Sequence, residues 1–221
     1  PGESLKIITG YNFSSGYNDR LFYQQFFNPD FTPNGLDSTQ QQLNNTKSNG
    51  HHIRVNYDKM LDNKKTFVSV GGAYNRNNNH VEVDASFKKK PEGTMAPLDL
   101  LSNNFWFHQT ISNLRGSIKQ ILGKNFSFTA GTSVERTDIW FELLKENRDV
   151  KNNYPTWLPF ANINKTWKDK FNITFAYRRS IRRPGIGELN PTIDFSDPYN
   201  IRFGNEKLEA STADNFDFVI G

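Results

Sequence analysis

Apolar residues recur at every second position through most of the chain, the period of a strand with two unlike faces. Leu5, Ile7, Thr9, Tyr11 and Phe13 share one face of a first predicted strand, and Ser14-Ser15-Gly16-Tyr17-Asn18 reads as a short turn into a second, Arg20 to Phe27. Asn28 to Gly50 reads as a long polar connection with two prolines. The third strand sets Ile53, Val55 and Tyr57 against His52, Arg54, Asn56 and Asp58, then turns at Leu61-Asp62-Asn63-Lys64 into a fourth with Val68, Val70, Gly72 and Tyr74 in phase. Asn75 to Asn103 is a second long polar segment. The fifth strand, Phe105 to Leu122, changes phase: Phe105, Phe107 and Ile111 are odd, Leu114, Ile118 and Leu122 even. A β-bulge near Ser112 would produce that slip. Gly123-Lys124 turns into a sixth strand with Phe126, Phe128, Ala130, Thr132 and Val134 in phase.

Thr137 to Thr156 reads as a third long segment with a helical turn at Phe141 to Lys145. Strand seven, Trp157 to Thr166, turns at Trp167-Lys168-Asp169-Lys170 into strand eight, which sets Phe171, Ile173, Phe175 and Tyr177 on one face. After a last long segment, Arg179 to Ser211, a ninth strand sets Phe216, Phe218 and Ile220 against Asn215, Asp217 and Val219. Short and long connections therefore alternate four times. That rhythm predicts an all-β fold: an antiparallel transmembrane β-barrel segment of about nine strands, short periplasmic turns alternating with long extracellular loops. In hydrocarbon every backbone group must be paired, so only a closed barrel presents strand faces to lipid. A soluble antiparallel sheet with one wet face also alternates, but it gives no reason for the rhythm of the connections. Trp157, Phe160, Trp167, Tyr177, Tyr74 and Trp106 fall near predicted strand ends, where interfacial aromatic girdles lie.

Composition sharpens this. Mean hydropathy is −0.71, a value typical of polar or disordered chains, yet aromatics make up 14%, which disorder does not support. Alternation reconciles the two. No run approaches the roughly 20 apolar residues of a spanning helix. The absence of cysteine excludes a disulfide framework, a thiolate metal site and a thiol nucleophile. The formal charge of +4 is spread along the chain, with tight basic runs only at Lys88-Lys89-Lys90 and Arg178 to Arg183, so a nucleic-acid partner is not expected. The chain opens Pro1-Gly2-Glu3-Ser4 without a leader pattern and stops inside a strand pattern. Residues 1–221 are therefore expected to be part of one barrel domain, with the remaining strands elsewhere in a longer protein.

Candidate chemistry is sparse. His51 and His52 are adjacent, so in a strand they face opposite ways and cannot share one ion. His80, Glu82 and Asp84 share a face and could hold a cation, although a solvated edge gives the same pattern. No nucleophile elbow or phosphate loop occurs, so neither an enzyme nor a cofactor is expected. Asparagines crowd the polar segments, where they serve turns or hydrogen-bond a polar ligand beside Trp106 or Trp140. Trp106, His108, Trp140, Arg178 and Arg182 are the candidate ligand-facing residues of a loop or rim.

From Tyr154 to Gly221 the chain resembles the C-terminal half of the barrel domain of TonB-dependent outer-membrane receptors. Tyr177 to Pro184 (a strand ending in Arg182-Arg183-Pro184), Glu188-Leu189-Asn190-Pro191, Asp197-Pro198-Tyr199, Gly204-Asn205-Glu206-Lys207-Leu208 and Asn215-Phe216 carry the likeness. The departure is Glu209-Ala210 where a proline often follows the leucine. Pro184, Pro191 and Pro198 read as strand-ending architecture, Gly204-Asn205 as a turn. Arg182 and Arg183 could pin Asp194, Asp197 or Glu188 or contact an anionic substrate. The resemblance implies a 22-stranded barrel in the outer membrane of a Gram-negative-type cell, with a plug outside this chain. It further implies contact with outer-membrane lipid, a small nutrient ligand of siderophore, carbohydrate or peptide class, and energy coupling to TonB through that plug. A barrel used for adhesion or assembly, without active transport, is the alternative.

Overall fold

The structure is a computed structural model that describes residues 2–89, 93–167, 171–191, 200 and 202–221. Its strands are β1 Glu3–Gln24, β2 Ser38–Met60, β3 Thr66–Lys89, β4 Ala96–Pro97, β5 Asn103–Ile121, β6 Phe126–Leu143, β7 Arg148–Trp167, β8 Phe171–Arg182 and β9 Ser211–Ile220. A 3-10 turn, Asp99–Leu101, precedes β5, and a single-turn helix α1, Ile186–Leu189, follows β8. All pairings are antiparallel, in the order β1-β2-β3-β5-β6-β7-β8-β9 with β4 beside β3. The nine strands form a curled half-barrel in which 75% of residues are strand, so the chain is an all-β, incomplete transmembrane barrel.

The two faces follow from side-chain alternation and the register. One cross-strand row runs Val55–Gly72–Leu114–Val134–Trp157. Nearby rows add Ile7 beside Val55 on the β1 side, and Tyr177 beside Phe216 and Phe175 beside Phe218 on the β9 side. These form a continuous convex apolar band, with Leu114 65% and Trp157 57% exposed in the isolated chain. Trp157 and Trp167 bracket the band on β7. Their spacing of about ten residues, at roughly 3.3 Å each and a tilt of about 40°, gives a height near 25 Å, the thickness of a barrel's lipid belt. The concave face carries Arg54, Asn56, Asn113, Arg115, Ser133 and Glu135 around an open cavity of about 770 Å³.

Several predicted connections are strand. Ser14 to Asn18 does not turn: Ser14 pairs with Ser48, Gly16 with Thr46 and Asn18 with Asn44, so the first two predicted strands are the single 22-residue β1. The connection after β1 is confined to 25–37, because 38–50 is the upper half of β2. Likewise β3 runs to Lys89. Between β6 and β7 only residues 144–147 are free, so the predicted helical turn at Phe141 to Lys145 is strand and turn. The asparagine-rich segments are extended hairpin arms above the lipid belt, where a paired partner outweighs the turn preference of Asn, Ser and Gly. Long and short connections accordingly alternate less regularly than the sequence pattern indicates.

β5 has no bulge. Its ladder to β3 is unbroken from Thr66–Gln120 to Val83–Asn103. The change of phase marks a change of medium: up to Leu114 the even residues meet lipid, while farther out the odd residues Phe105 and Phe107 turn inward. They join Ile139, Phe141 and Leu143 of β6 and Leu189 of α1 in a buried core on the concave side. A second irregularity is real. β7 pairs with β6 along its whole length, but with β8 only from Trp167–Phe171 to Phe160–Arg178. Thr166 N–H donates to the Asn125 carbonyl on the β6 side, so odd-numbered N–H groups of β7 aim at β8. Pro155 and Pro159 are odd and have none to give. Above Phe160 the two strands part, leaving a cavity of about 250 Å³ between Trp157, Arg179, Glu209 and Thr212.

The face assignment makes a prediction for Ile173, which lies on the convex face between Lys165 and Ile220. Ile173 stands two residues inside the Trp167 edge of the belt, so Ile173→Arg is expected to destabilise the barrel by about 1–2 kcal/mol, below the cost at the midplane. Thr174→Arg, on the concave face, is expected to cost far less. Refolding titrations into lipid vesicles measure both, and equal costs would reverse the faces.

Candidate functional site

The signature residues assemble into a strap over the concave side of the extracellular end. β8 stops at Arg182, and Arg183 turns inward. Its Nε donates to Thr137 Oγ1 at 3.1 Å, and Nη2 donates to Glu135 Oε2. This ion pair is largely withdrawn from solvent, with side chains 20% and 16% exposed. Breaking one partner would strand the other charge in a poorly hydrated place. Arg182 stays outside and donates to Glu188 Oε1 at 3.1 Å, an exposed pair that adds little stability. Pro184 is buried at the bend. Glu188 then closes the α1 turn by accepting Gly185 N–H at 2.9 Å.

Leu189, 1% exposed, is inserted among the aromatics of β5 and β6. The returning chain hydrogen-bonds to α1: Gly204 N–H donates to the Asn190 carbonyl at 2.7 Å and Asn205 N–H to the Glu188 carbonyl at 2.8 Å. A Cβ at residue 204 would stand 2.6 Å from both acceptor oxygens, so this close approach requires glycine. Asn205 Oδ1 accepts Lys207 N–H at 2.9 Å, and Leu208 N–H donates to the Asn205 carbonyl at 3.1 Å. Arg148 of β7 ties the strap from the other side, donating to Glu206 at 2.9 Å. Pro191 continues from Asn190, while Asp194, Asp197 and Pro198 lie outside the described residues.

Below the strap, Arg54, Arg115 and Arg178 line the concave cavity with Asn75, Asn162 and Phe160. The Arg115 guanidinium stands 4.5 Å over the Phe160 ring, a favourable cation–aromatic geometry. Among the described residues none of these three arginines has an ion-pair partner, and Glu135 is committed to Arg183 and Asn113. The concave wall is thus cationic, able to hold anionic groups by charge and bidentate hydrogen bonds.

Trp106, His108 and Trp140 do not join that wall. They share the convex face with Leu114 and Val134, farther toward the extracellular end. There His80, Trp106, His108 and Trp140 stack in series, with ring centroids 4.5, 5.8 and 4.9 Å apart. Lys151 Nζ lies 5.3 Å from the Trp140 ring. Asn104 Oδ1 lies 2.8 Å from His80 Nε2, and Asn78 Oδ1 lies 2.7 Å from His108 Nδ1. Burial, assisted by Arg76, holds the His108 imidazole below its ordinary pKa, so the ring is neutral at pH 7. The stack is a rigid girdle whose ring faces cover one another. The five candidate ligand-facing residues therefore fall into three places: this girdle, Arg178 on the concave wall and Arg182 on the strap. No metal-binding cluster of His, Asp or Glu occurs among the described residues. His51 stacks obliquely on Tyr74, and His52 takes the opposite face, against Gly10. Sequence reasoning missed Arg54 and Arg115 as part of a shared wall; their one signal was a polar position opposite each apolar one.

Residues 1–220 match the family described as the outer membrane protein beta-barrel family. Among solved structures the fold is similar to the crystal structure of the ferric citrate transporter FecA in the unliganded form, with a TM-score of 0.51 and 14% identity. That similarity covers 81% of this chain and 27% of FecA, so the chain spans about a quarter of the length of that transporter. No curated protein sequence matches.

The strap rests on Leu189. Leu189→Ala is expected to cost about 2–5 kcal/mol of local stability and to release the strap before the barrel unfolds. Limited proteolysis of the protein in membranes would show faster cleavage within 183–191 and 202–210 with the β-sheet signal unchanged; unchanged cleavage would mean that the strap is held elsewhere.

Proposed function

The chain belongs to the outer membrane protein beta-barrel family, and from that premise we propose that it forms part of the wall of a receptor that takes up a small, scarce nutrient across the outer membrane. The convex apolar band is its contact with membrane lipid. The cationic concave wall, with Arg54, Arg115 and Arg178 lacking an ion-pair partner among the described residues, is the observation that carries the reading. A barrel serving adhesion or assembly needs no such lining, whereas a lumen that admits or docks anionic groups does. The partner within the lumen is a plug domain encoded outside this chain, through which TonB couples energy to uptake. The likeness to a ferric citrate transporter supports this reading in fold; the nutrient class, whether siderophore, carbohydrate or peptide, belongs to the plug and loops together.

The test is genetic and uses the whole gene. A deletion strain is grown on limiting iron, carbohydrate or peptide in wild-type and TonB-deficient backgrounds. The expected result is a growth defect under one limitation that the TonB deletion alone reproduces and the double deletion does not deepen. Arg115→Glu, which inverts a charge of the wall, is expected to slow that growth while the protein still fractionates with the outer membrane. A defect in surface attachment alone, equal in both backgrounds, would overturn the proposal.

A further inference from the structure

The concave face holds a second, smaller cavity nearer the extracellular end. It measures about 240 Å³ and is lined in part by Arg20, Gln42, Val83, Leu101, Phe105 and Ile186. Arg20 and Gln42 face each other across β1 and β2, while Val83 and Phe105 stand on neighbouring strands of the same face. Leu101 and Ile186 close the sides from the 3-10 turn and from α1. One wall, Arg20, Gln42 and Asn44, is therefore hydrogen-bonding, and the others are mixed, with Val83, Leu101, Phe105 and Ile186 beside Asn103 and Asn190.

On the polar wall Asn44 Oδ1 accepts from Thr46 Oγ1 at 3.2 Å, whereas Arg20 and Gln42 are uncommitted among the described residues. Arg20 has no ion-pair or hydrogen-bond partner among the described residues, and the adjacent acid, Asp19, lies on the opposite face, accepting from Gln41 Nε2 at 3.0 Å. The Gln42 amide is equally free. Gln40, two residues along on the same face, has a buried Nε2 without a partner. Among the described residues no carboxylate lines the cavity. Guanidinium and carboxamide donors converging without an acid select a carboxylate. A single guanidinium does not suit a polyanion, and no tryptophan face is presented for sugar stacking, because Trp106 and Trp140 cover one another on the convex side. The volume, below the roughly 300 Å³ of a drug-sized pocket, fits one residue-sized group.

We propose that this cavity is a subsite for a small carboxylate carrying an apolar group, of the amino-acid or short-peptide type, held by Arg20 and the Gln42 amide with its apolar group against Val83, Phe105 and Ile186. The inference rests on the uptake reading, since it assigns the concave side to ligand.

The full-length receptor in detergent is titrated calorimetrically with the tripeptide Gly-Gly-Leu, with its C-terminal amide and with citrate. The free acid is expected to bind at millimolar concentration or below, and the amide and citrate about tenfold more weakly or worse. Arg20→Gln is expected to bring the free acid down to the amide's affinity and leave the amide unchanged, and Arg20→Lys to restore part of the difference. Arg20 is exposed on a strand, so both variants fold, as an unchanged β-sheet spectrum would verify. Equal binding of acid and amide, equal binding of citrate, or no heat from Gly-Gly-Leu at millimolar concentration overturns the subsite. A TonB-dependent growth defect on a non-peptide nutrient, together with failure of the titration, would leave the uptake reading standing and sink this inference alone.

Discussion

Backbone hydrogen bonds in a medium without water set the terms for the rest of this structure. Each N–H and C=O within the lipid belt needs a partner, and in a barrel wall that partner is the neighbouring strand. The unbroken ladders of β1 through β7 meet this requirement, and because they are unbroken the two faces never exchange. Within the belt the convex side then becomes apolar, and the concave side collects the arginines and asparagines, with Ile111, Leu158 and Phe160 among them. Arg54, Arg115 and Arg178 share one wall for that reason: alternation puts each of them opposite a residue that touches lipid. The cationic character of the lumen is thus a by-product of register as much as of charge content.

Beyond the belt the same ladders meet water on both sides, and burial has to be rebuilt. The strap performs this. It brings Leu189 onto Phe105, Phe107 and Phe141, and Arg183 supplies the polar complement by reaching Glu135 across 48 residues of sequence. Where β8 leaves β7, Pro155 and Pro159 remove donors that would otherwise point at a missing partner, so the parting of the two strands leaves fewer orphaned groups than any other residue pair would allow. The wall is closed there by β7 side chains that reach the strap, Arg148 donating to Glu206 and Asn152 to the Leu208 carbonyl, in place of a ladder.

Much of this was legible in the sequence. The lipid-facing phase of β2, β3 and β6 to β9 follows from alternation alone, and the resemblance located the strap residues before their contacts were visible. Three things were not legible. Ser14 to Asn18 has the composition of a turn, yet cross-strand pairing with Asn44 to Ser48 holds it extended, and that partner lies far along the chain. The phase change in β5 reads as a bulge in the sequence, because parity does not distinguish an extra residue from a change of medium. Trp106, His108 and Trp140 carry the composition of a ligand site, and only register shows that they face away from the lumen.

The aromatic core beneath the strap also bears on how the barrel enters its membrane. Its members come from β5 and β6, while Leu189 arrives from the connection after β8, so the cluster cannot assemble until all three strands have carried their far ends across the bilayer. Before that point those ends are polar arms with unsheltered phenylalanines. Afterwards, drawing any strand back would mean dragging a packed knot of aromatics through the belt. Once packed, the cluster is a knot wider than any one strand, and it opposes withdrawal of β5, β6 or β8 through the wall.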